Sequence, residues 1–437
     1  MLDLGRKRAD AAKRLVEQVA AALEADLSVR LWDGTVLPLG PGARNDIRLA
    51  VNTPAALRRL ILSPKLMTLF ELYGTGDLDV EGGSPLEAAR RWDHIRALRL
   101  ARNLDKRKLA SALWPFLVGR SATGAPPAFD RSVEAKLAKG RDDKELIQFH
   151  YDLSNRFYGL FLDGEMVYSS AYFADADTPL DEAQRAKIDL TCRKLRLSPG
   201  DRFLEIGCGW GGTICHAAQA YGVTAHGITL SQAQLDFARE KIARLGLQDR
   251  VTVELKEYGA LDGEYDKIAS IGMFEHVGLD NHDAYFAKIH ALLRPRGLYL
   301  HQATTRMATR DLKRFRKRTA YQDVITRFIF PGGELDYVGL TATNLERLGF
   351  EVIDVETWRE HYQRTLEHWA ERLYARRAEA EAEVGAARTR LWLLYFALFA
   401  LAFERNTVSD FQVLASKRRR GPSGLPWSRA DLYAREG

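Results

Sequence analysis

Residues 202–221 carry the pattern that most narrows the fold. An apolar run, Arg202-Phe-Leu-Glu-Ile206, passes directly into Gly207-Cys-Gly-Trp-Gly-Gly212 and then into a helix-compatible stretch, Thr213–Tyr221. A strand that meets glycines and then a helix brings backbone close to a ligand. The glycines accept positive φ, and the helix start offers free amide donors. The G-x-G-x-x-G spacing also fits a dinucleotide-binding turn, so spacing alone does not choose the ligand. Two details do. Glu205 lies inside the strand just before the first glycine, and the end of the next strand, Thr224–Ser231, has no Asp or Glu for a nicotinamide cofactor's ribose. S-adenosylmethionine is favoured over NAD.

After residue 185 the chain alternates strand and helix: Phe203–Ile206, Gly212–Ala220, Thr224–Ile228, Gln232–Leu245, Val251–Leu255, Lys267–Ile271, Tyr285–Leu292 and Leu298–Gln302. That alternation predicts an α/β fold, a mostly parallel, doubly wound sheet with ligands at the carboxyl ends of its strands. It breaks at Met307–Pro331, a basic insertion placed to act as a substrate lid, and resumes at Leu340–Val355. At 437 residues the chain exceeds one ordinary core. Gly119–Ala128 is rich in breakers and reads as part of a linker. We expect an α+β accessory domain over 1–118, a linker over 119–145, the main domain over 146–420 and a tail over 421–437.

Lys and Arg exceed Asp and Glu by six, and seven basic residues gather between Arg306 and Arg318. Such a cluster is either a solvated helix face or a docking surface for anionic lipid. Cys192, Cys208 and Cys215 lack metal-pair spacing and secreted-scaffold density, so we expect reduced thiols, no metal and a cytoplasmic setting. Met1–Arg14 lacks the apolar core of a signal peptide. The apolar run Leu391–Phe403 is short for a bilayer span and is expected as a buried helix rather than an interfacial one.

Several segments together resemble the cyclopropane fatty acid synthase family of S-adenosylmethionine-dependent methyltransferases. They are His150–Asn155, Tyr168–Phe173, Leu204–Gly212, Gly227–Ser231, Gly272–Gly278 and Ile329–Gly333, within a region from about 145 to 417. The element ending Asp79-Val-Glu-Gly-Gly83 is similar to the accessory domain of longer, phospholipid-acting members. The resemblance implies a Rossmann-like class I methyltransferase, peripheral on the inner face of the membrane. It would transfer a methylene or methyl carbon to the double bond of an unsaturated acyl chain in phospholipid. It carries cofactor contacts over to Tyr168, Ser169, Gly207, Gly209, Gly211, Thr229, Leu230, Gln234 and Tyr258, beside Glu205.

An alkene is a weak nucleophile, so alignment in a dry pocket matters more than a strong base at first contact. The resulting carbocation can be steadied by aromatic rings, with Tyr168, Tyr172, Tyr321, Tyr362 and Trp369 as candidates. Ring closure then requires loss of a proton. In the family a bound bicarbonate takes it, held by a Glu, a His, a Tyr and a Cys backbone. These positions fall on Glu275, Gln302, Tyr362 and Ser170. Gln302 departs from the pattern, since it can donate to an anion but cannot become a cation. His301 precedes it on the same strand and should face the other way. His276 is read as an orienting or structural histidine. A weakened bicarbonate site leaves two products open, a cyclopropane or a methyl-branched chain formed by proton loss elsewhere or by reduction.

Two other classes remain as alternatives: a NAD-type oxidoreductase, which the Thr229-Leu-Ser231 strand end opposes, and a nonenzymatic lipid-binding protein, which would not need the glycines, Glu205 and Glu275 together. No nucleic-acid partner is expected, because the Asn/Asp-Pro-Pro-Tyr/Phe motif of base-modifying enzymes is absent. A homo-oligomer is compatible with the sequence.

Overall fold

A computed structural model describes residues 2–92, 114–116 and 153–433. The expected linker, 119–145, lies outside the described residues, as do His150, Tyr151 and Asp152 of the first family-like segment. Two compact units make up the chain.

The first unit comprises Met1–Lys139 together with Arg318–Ile329 and Trp369–Leu401. Its four-stranded sheet has the order β2-β1-β3-β4, from β1 (Ser28–Arg30), β2 (Val36–Pro38), β3 (Arg48–Val51) and β4 (Leu78–Glu81). The helix Leu2–Leu23 turns Ala11, Ala12, Leu15 and Val16 into a core with Leu27, Leu31 and Leu72. Helix starts follow local chemistry: Thr53 caps the helix Pro54–Leu62, and Ser84 with Glu87 forms a capping box. Part of the basic insertion belongs to this unit, because the helix Ala320–Phe328 stacks Phe328 on Phe70 at 6.0 Å. The helix Ala386–Glu404 is long and apolar enough to cross a membrane by length and composition, which corrects the shorter span read from the sequence. Two thirds of its most apolar window is nevertheless buried inside the molecule, as a core helix would be. Tyr321 and Trp369 fall in this unit, the latter packed against Phe396 at 5.7 Å.

The second unit, Gly140–Lys317, Phe330–His368 and Ala402–Gly437, holds a seven-stranded sheet of order β10-β11-β9-β8-β5-β6-β7. Its strands are β5 (Arg202–Ile206), β6 (Thr224–Thr229), β7 (Val251–Leu255), β8 (Tyr265–Ile271), β9 (Leu293–Arg306), β10 (Phe350–Thr357) and β11 (Val408–Lys417). Strands β5 to β9 pair parallel, while β11 runs antiparallel between β9 and β10. The sheet is therefore mostly parallel, with one strand, β11, that alternation did not reveal. Helices bury Phe203, Cys208 and Ile214 on one face and Leu204, Ile206 and Phe286 on the other. That two-sided burial explains why β5 reads as a continuous apolar run.

The chain leaves β5 toward β6 and β7, then returns to the opposite side of β5 as β8. Such a reversal opens a crevice at the carboxyl ends of β5 and β8. Both strand ends carry a glycine with positive φ, Gly207 at +81° and Gly272 at +65°.

Candidate active site

The crevice is a pocket. Tyr168, Ser169, Glu205, Gly207, Gly209, Thr229, Leu230, Gln234 and Tyr258 all line it. Gly211 does not; at φ +82° it caps the helix Gly212–Tyr221, and a Cβ there would lie 3.2 Å from the Ala238 Cβ. A Cβ on Gly207 would come within 2.9 Å of the Met273 side chain, so the turn lies flat against the β8 loop only as glycine. At the β6 end, Thr229 donates to the Gln234 Oε1 at 2.7 Å, and Ser231 caps the following helix through the Gln234 amide. The position where a nicotinamide enzyme would hold an acid is thus occupied by a neutral hydroxyl–amide pair.

Residues not singled out by the sequence also line the pocket, among them Lys187, Trp210, Thr213, Lys256 and His276. Trp210 donates to the Asn155 Oδ1 at 2.7 Å, which ties the glycine turn to the preceding segment. Tyr168 stacks on Phe330 with ring centroids 6.3 Å apart. A signal for Lys187 did exist: it falls on the buried face of the helix Leu180–Lys194 with Ala183, Ile188 and Thr191, where a charge is out of place.

None of the four catalytic candidates lines this pocket. Glu275 and Gln302 are both placed by the last residues of β9, through Thr304 and through Gln302's own position on the strand. Glu275 is fully buried, accepts from the Thr304 amide at 2.8 Å, and keeps its second oxygen without a partner. Burial pushes its carboxyl up, and the hydrogen bond from Thr304 opposes that rise. Gln302 donates to the Asp410 Oδ2 at 2.6 Å and accepts from the Gln412 Nε2 at 2.9 Å. Register explains the trio, since Gln302 faces Gln412 and Thr304 faces Asp410 across the antiparallel β9–β11 pair. Asp410 is pushed up to about 7 by burial and, against the Gln302 hydrogen bond, by repulsion from Glu275. Asp336 is likewise pushed up to about 7 by burial, with Glu275 adding to the rise.

Ser170 and Tyr362 sit on a different pair of segments. The Ser170 hydroxyl donates to the Ala171 carbonyl at 3.1 Å, and the Ala171 amide donates to Thr365 on the Tyr362-bearing helix at 3.0 Å. The Tyr362 ring rests on Phe403 at 4.8 Å. His301 points to the opposite face from Gln302, edge-on to Phe274 at 4.6 Å, and burial holds it down to about 3. It is a neutral core histidine. All three cysteines are buried as free thiols.

Residues 138–413 match the family described as mycolic acid cyclopropane synthetase. The chain belongs to this family. A Pseudomonas putida protein named "Probable fatty acid methyltransferase" is 36% identical over 417 residues, covering 94% of this chain and 97% of that protein. The cyclopropane-fatty-acyl-phospholipid synthase of Escherichia coli K12 is 37% identical over 268 residues, covering 61% of this chain and 66% of that enzyme. Among solved structures, the mycolic acid cyclopropane synthase CmaA1, complexed with SAH and CTAB, overlays with a TM-score of 0.60 at 33% identity. It covers 64% of this chain and 100% of that one. The fold is that of class I S-adenosylmethionine-dependent methyltransferases, and the chain is an enzyme of that class acting on lipid.

Proposed function

We propose that this enzyme transfers a one-carbon unit from S-adenosylmethionine to the double bond of an unsaturated acyl chain within membrane phospholipid. The observation that carries the reading is the crevice itself: a glycine turn of positive φ, a buried Glu205 with one oxygen unpartnered, and Tyr258 and Gln234 at the far end. These residues fit S-adenosylmethionine, which supplies the electrophilic methyl carbon. The backbone of Gly207 and Gly209 would admit the cofactor's chain, and Tyr168, backed by Phe330, would supply aromatic surface on the pocket wall.

Bicarbonate fits poorly. Gln302 is engaged on both sides within the sheet, and the neighbouring Asp410 and Glu275 carboxyls would face an added anion. We therefore route no proton through it. Loss of a proton from the new methyl group closes a ring, and loss from a chain carbon leaves an unsaturated, methyl-bearing chain of the same mass. Asp410, a buried carboxyl that accepts from the Gln302 amide and is pushed up by burial, is our assigned reservoir for that proton. The whole-length relative's name, a fatty acid methyltransferase, supports a methyl-bearing product.

Membrane docking is supported by the insertion. Met307 is 66% and Leu312 53% exposed, flanked by exposed Arg310, Lys313, Arg314 and Lys317. Two exposed apolar side chains among exposed cations in one short stretch of chain suit the surface of an anionic bilayer at the cytoplasmic face. The test is incubation of the purified protein with S-adenosylmethionine and vesicles of monounsaturated phospholipid, with and without bicarbonate, read by mass spectrometry and proton NMR. A gain of one CH2 without bicarbonate dependence is expected. Bicarbonate-dependent cyclopropane signals would overturn the proton route, and the absence of any mass gain on this and on diene lipids would overturn the reaction.

A further inference from the structure

Two ionisable groups sit on the wall of the crevice without a direct ion-pair partner among the described residues. Lys187 is 1% exposed and Glu205 4% exposed, and both line the pocket. Among the described residues neither has an ion-pair partner within 4.0 Å. The Lys187 Nζ donates one hydrogen bond, to the neutral Ser169 Oγ at 2.9 Å. An ammonium has three donors, so two are left for something else. The nearby Thr213 hydroxyl favours the charged form of Glu205, and the Glu205 Oε2 has no hydrogen-bond partner. Each group alone is costly to bury. A buried cation with spare donors and a buried carboxylate with a spare acceptor, separated on one wall, are complementary to a ligand that carries both charges itself.

We infer that Lys187 positions the Ser169 hydroxyl, and supplies the positive potential, for the α-carboxylate of the cofactor's amino-acid end, with Glu205 left for its α-ammonium. The inference rests on the S-adenosylmethionine reading above and assigns Lys187 a part that the motifs do not. Lys187 is a positioning residue for this purpose: it orients the Ser169 hydroxyl and sets the positive potential on that side of the wall. Burial lowers the ammonium's affinity for its proton, with Glu205 the leading opposing influence, and burial raises the Glu205 carboxyl. Asp163 and Asp410 are the other carboxyls that face Lys187 electrostatically. A zwitterion arriving between them would bring an opposite charge closer to each than they are to one another. The helix position also suits the role, because Lys187 and Gln184 lie one turn apart and Gln184 fixes the Ser169 carbonyl at 2.9 Å.

The experiment compares three non-reacting probes by calorimetry on the full chain: S-adenosylhomocysteine, its decarboxylated analogue and 5′-methylthioadenosine, which lacks the amino acid altogether. In the unmodified protein S-adenosylhomocysteine should bind about 10- to 100-fold tighter than the decarboxylated probe, the range expected for one charge-assisted contact. K187M should remove that preference, weakening S-adenosylhomocysteine by about the same factor while moving the other two probes by less than about 3-fold. S169A should give a partial loss with the same selectivity. E205Q should weaken both amine-bearing probes and leave methylthioadenosine unchanged. Equal weakening of all three probes by K187M, or an unchanged preference, would make Lys187 a structural residue and overturn the inference. Should K187M show no cooperative melting transition, S169A decides by the same preference. Failure of the unmodified protein to bind S-adenosylhomocysteine at all would instead overturn the cofactor reading.

Discussion

Replacing Asp410 with Asn should stabilise the protein at alkaline pH and impair it as an enzyme. The carboxyl is 2% exposed and pushed up to about 7, against an ordinary value of 3.8. Its folded value is raised, so between 3.8 and about 7 the native state holds a proton that the unfolded chain has released. Stability then falls by about 1.4 kcal/mol per pH unit through that window and levels off above it. Across roughly three units the charge costs about 4 kcal/mol at pH 8. Asn keeps an oxygen for the Gln302 amide but adds a donor that needs an acceptor, a loss of about 1 kcal/mol. The net expectation for D410N is a gain of about 3 kcal/mol at pH 8 and under about 1 kcal/mol at pH 5. For a unit of this size that is roughly 6–12 °C in Tm at pH 8. Denaturant titration of both proteins at the two pH values measures it, alongside product formation on monounsaturated vesicles. A stability difference that does not change with pH would refute the account of Asp410 as a carboxyl held near neutrality, and undiminished turnover would refute its part in taking the proton.

Gly207→Ala meets both a φ of +81° and the Met273 side chain at 2.9 Å, so it should cost about 2–5 kcal/mol in the turn and abolish S-adenosylhomocysteine binding by calorimetry. Unchanged affinity would mean the turn does not approach the cofactor. Q302H breaks the amide bond to Asp410 and offers a group that can become a cation, so product formation should acquire dependence on added bicarbonate and shift toward cyclopropyl proton signals. Replacing Arg310, Lys313, Arg314 and Lys317 with Ala should weaken sedimentation with anionic vesicles by about 1 kcal/mol per charge and leave neutral vesicles unaffected. Equal losses on both kinds of vesicle would argue against an electrostatic dock.

Local pattern was enough for the parts of this protein whose physics is local. A buried parallel strand, a turn that must reach positive φ and a helix start leave residue types in fixed order, which is why Arg202–Tyr221 and the β/α alternation were legible in the chain, whereas Tyr168, Ser169, Gln234 and Tyr258 on the crevice wall came only from the family resemblance. Strand period also placed His301 and Gln302 on opposite faces, and their partners, Phe274 and Asp410, lie accordingly. Other features depend on residues far apart in sequence. Strand β11 lies more than 100 residues from its partner β9, and Asp410 acquires its raised carboxyl only when that pairing sets it beside Gln302 and Glu275. The first unit recruits Arg318–Ile329 and Trp369–Leu401 from beyond any linear boundary, because Phe328 and Trp369 are buried there by Phe70 and Phe396. Lys187 was not singled out from the sequence, where its only signal is a charge on the buried face of the helix Leu180–Lys194. Its meaning came from the fold, which sets its ammonium against Ser169 on the wall of the pocket that Glu205 also lines. Backbone geometry and burial pattern are written along the chain; desolvation and charge pairing belong to positions in space, and these only the tertiary structure decided.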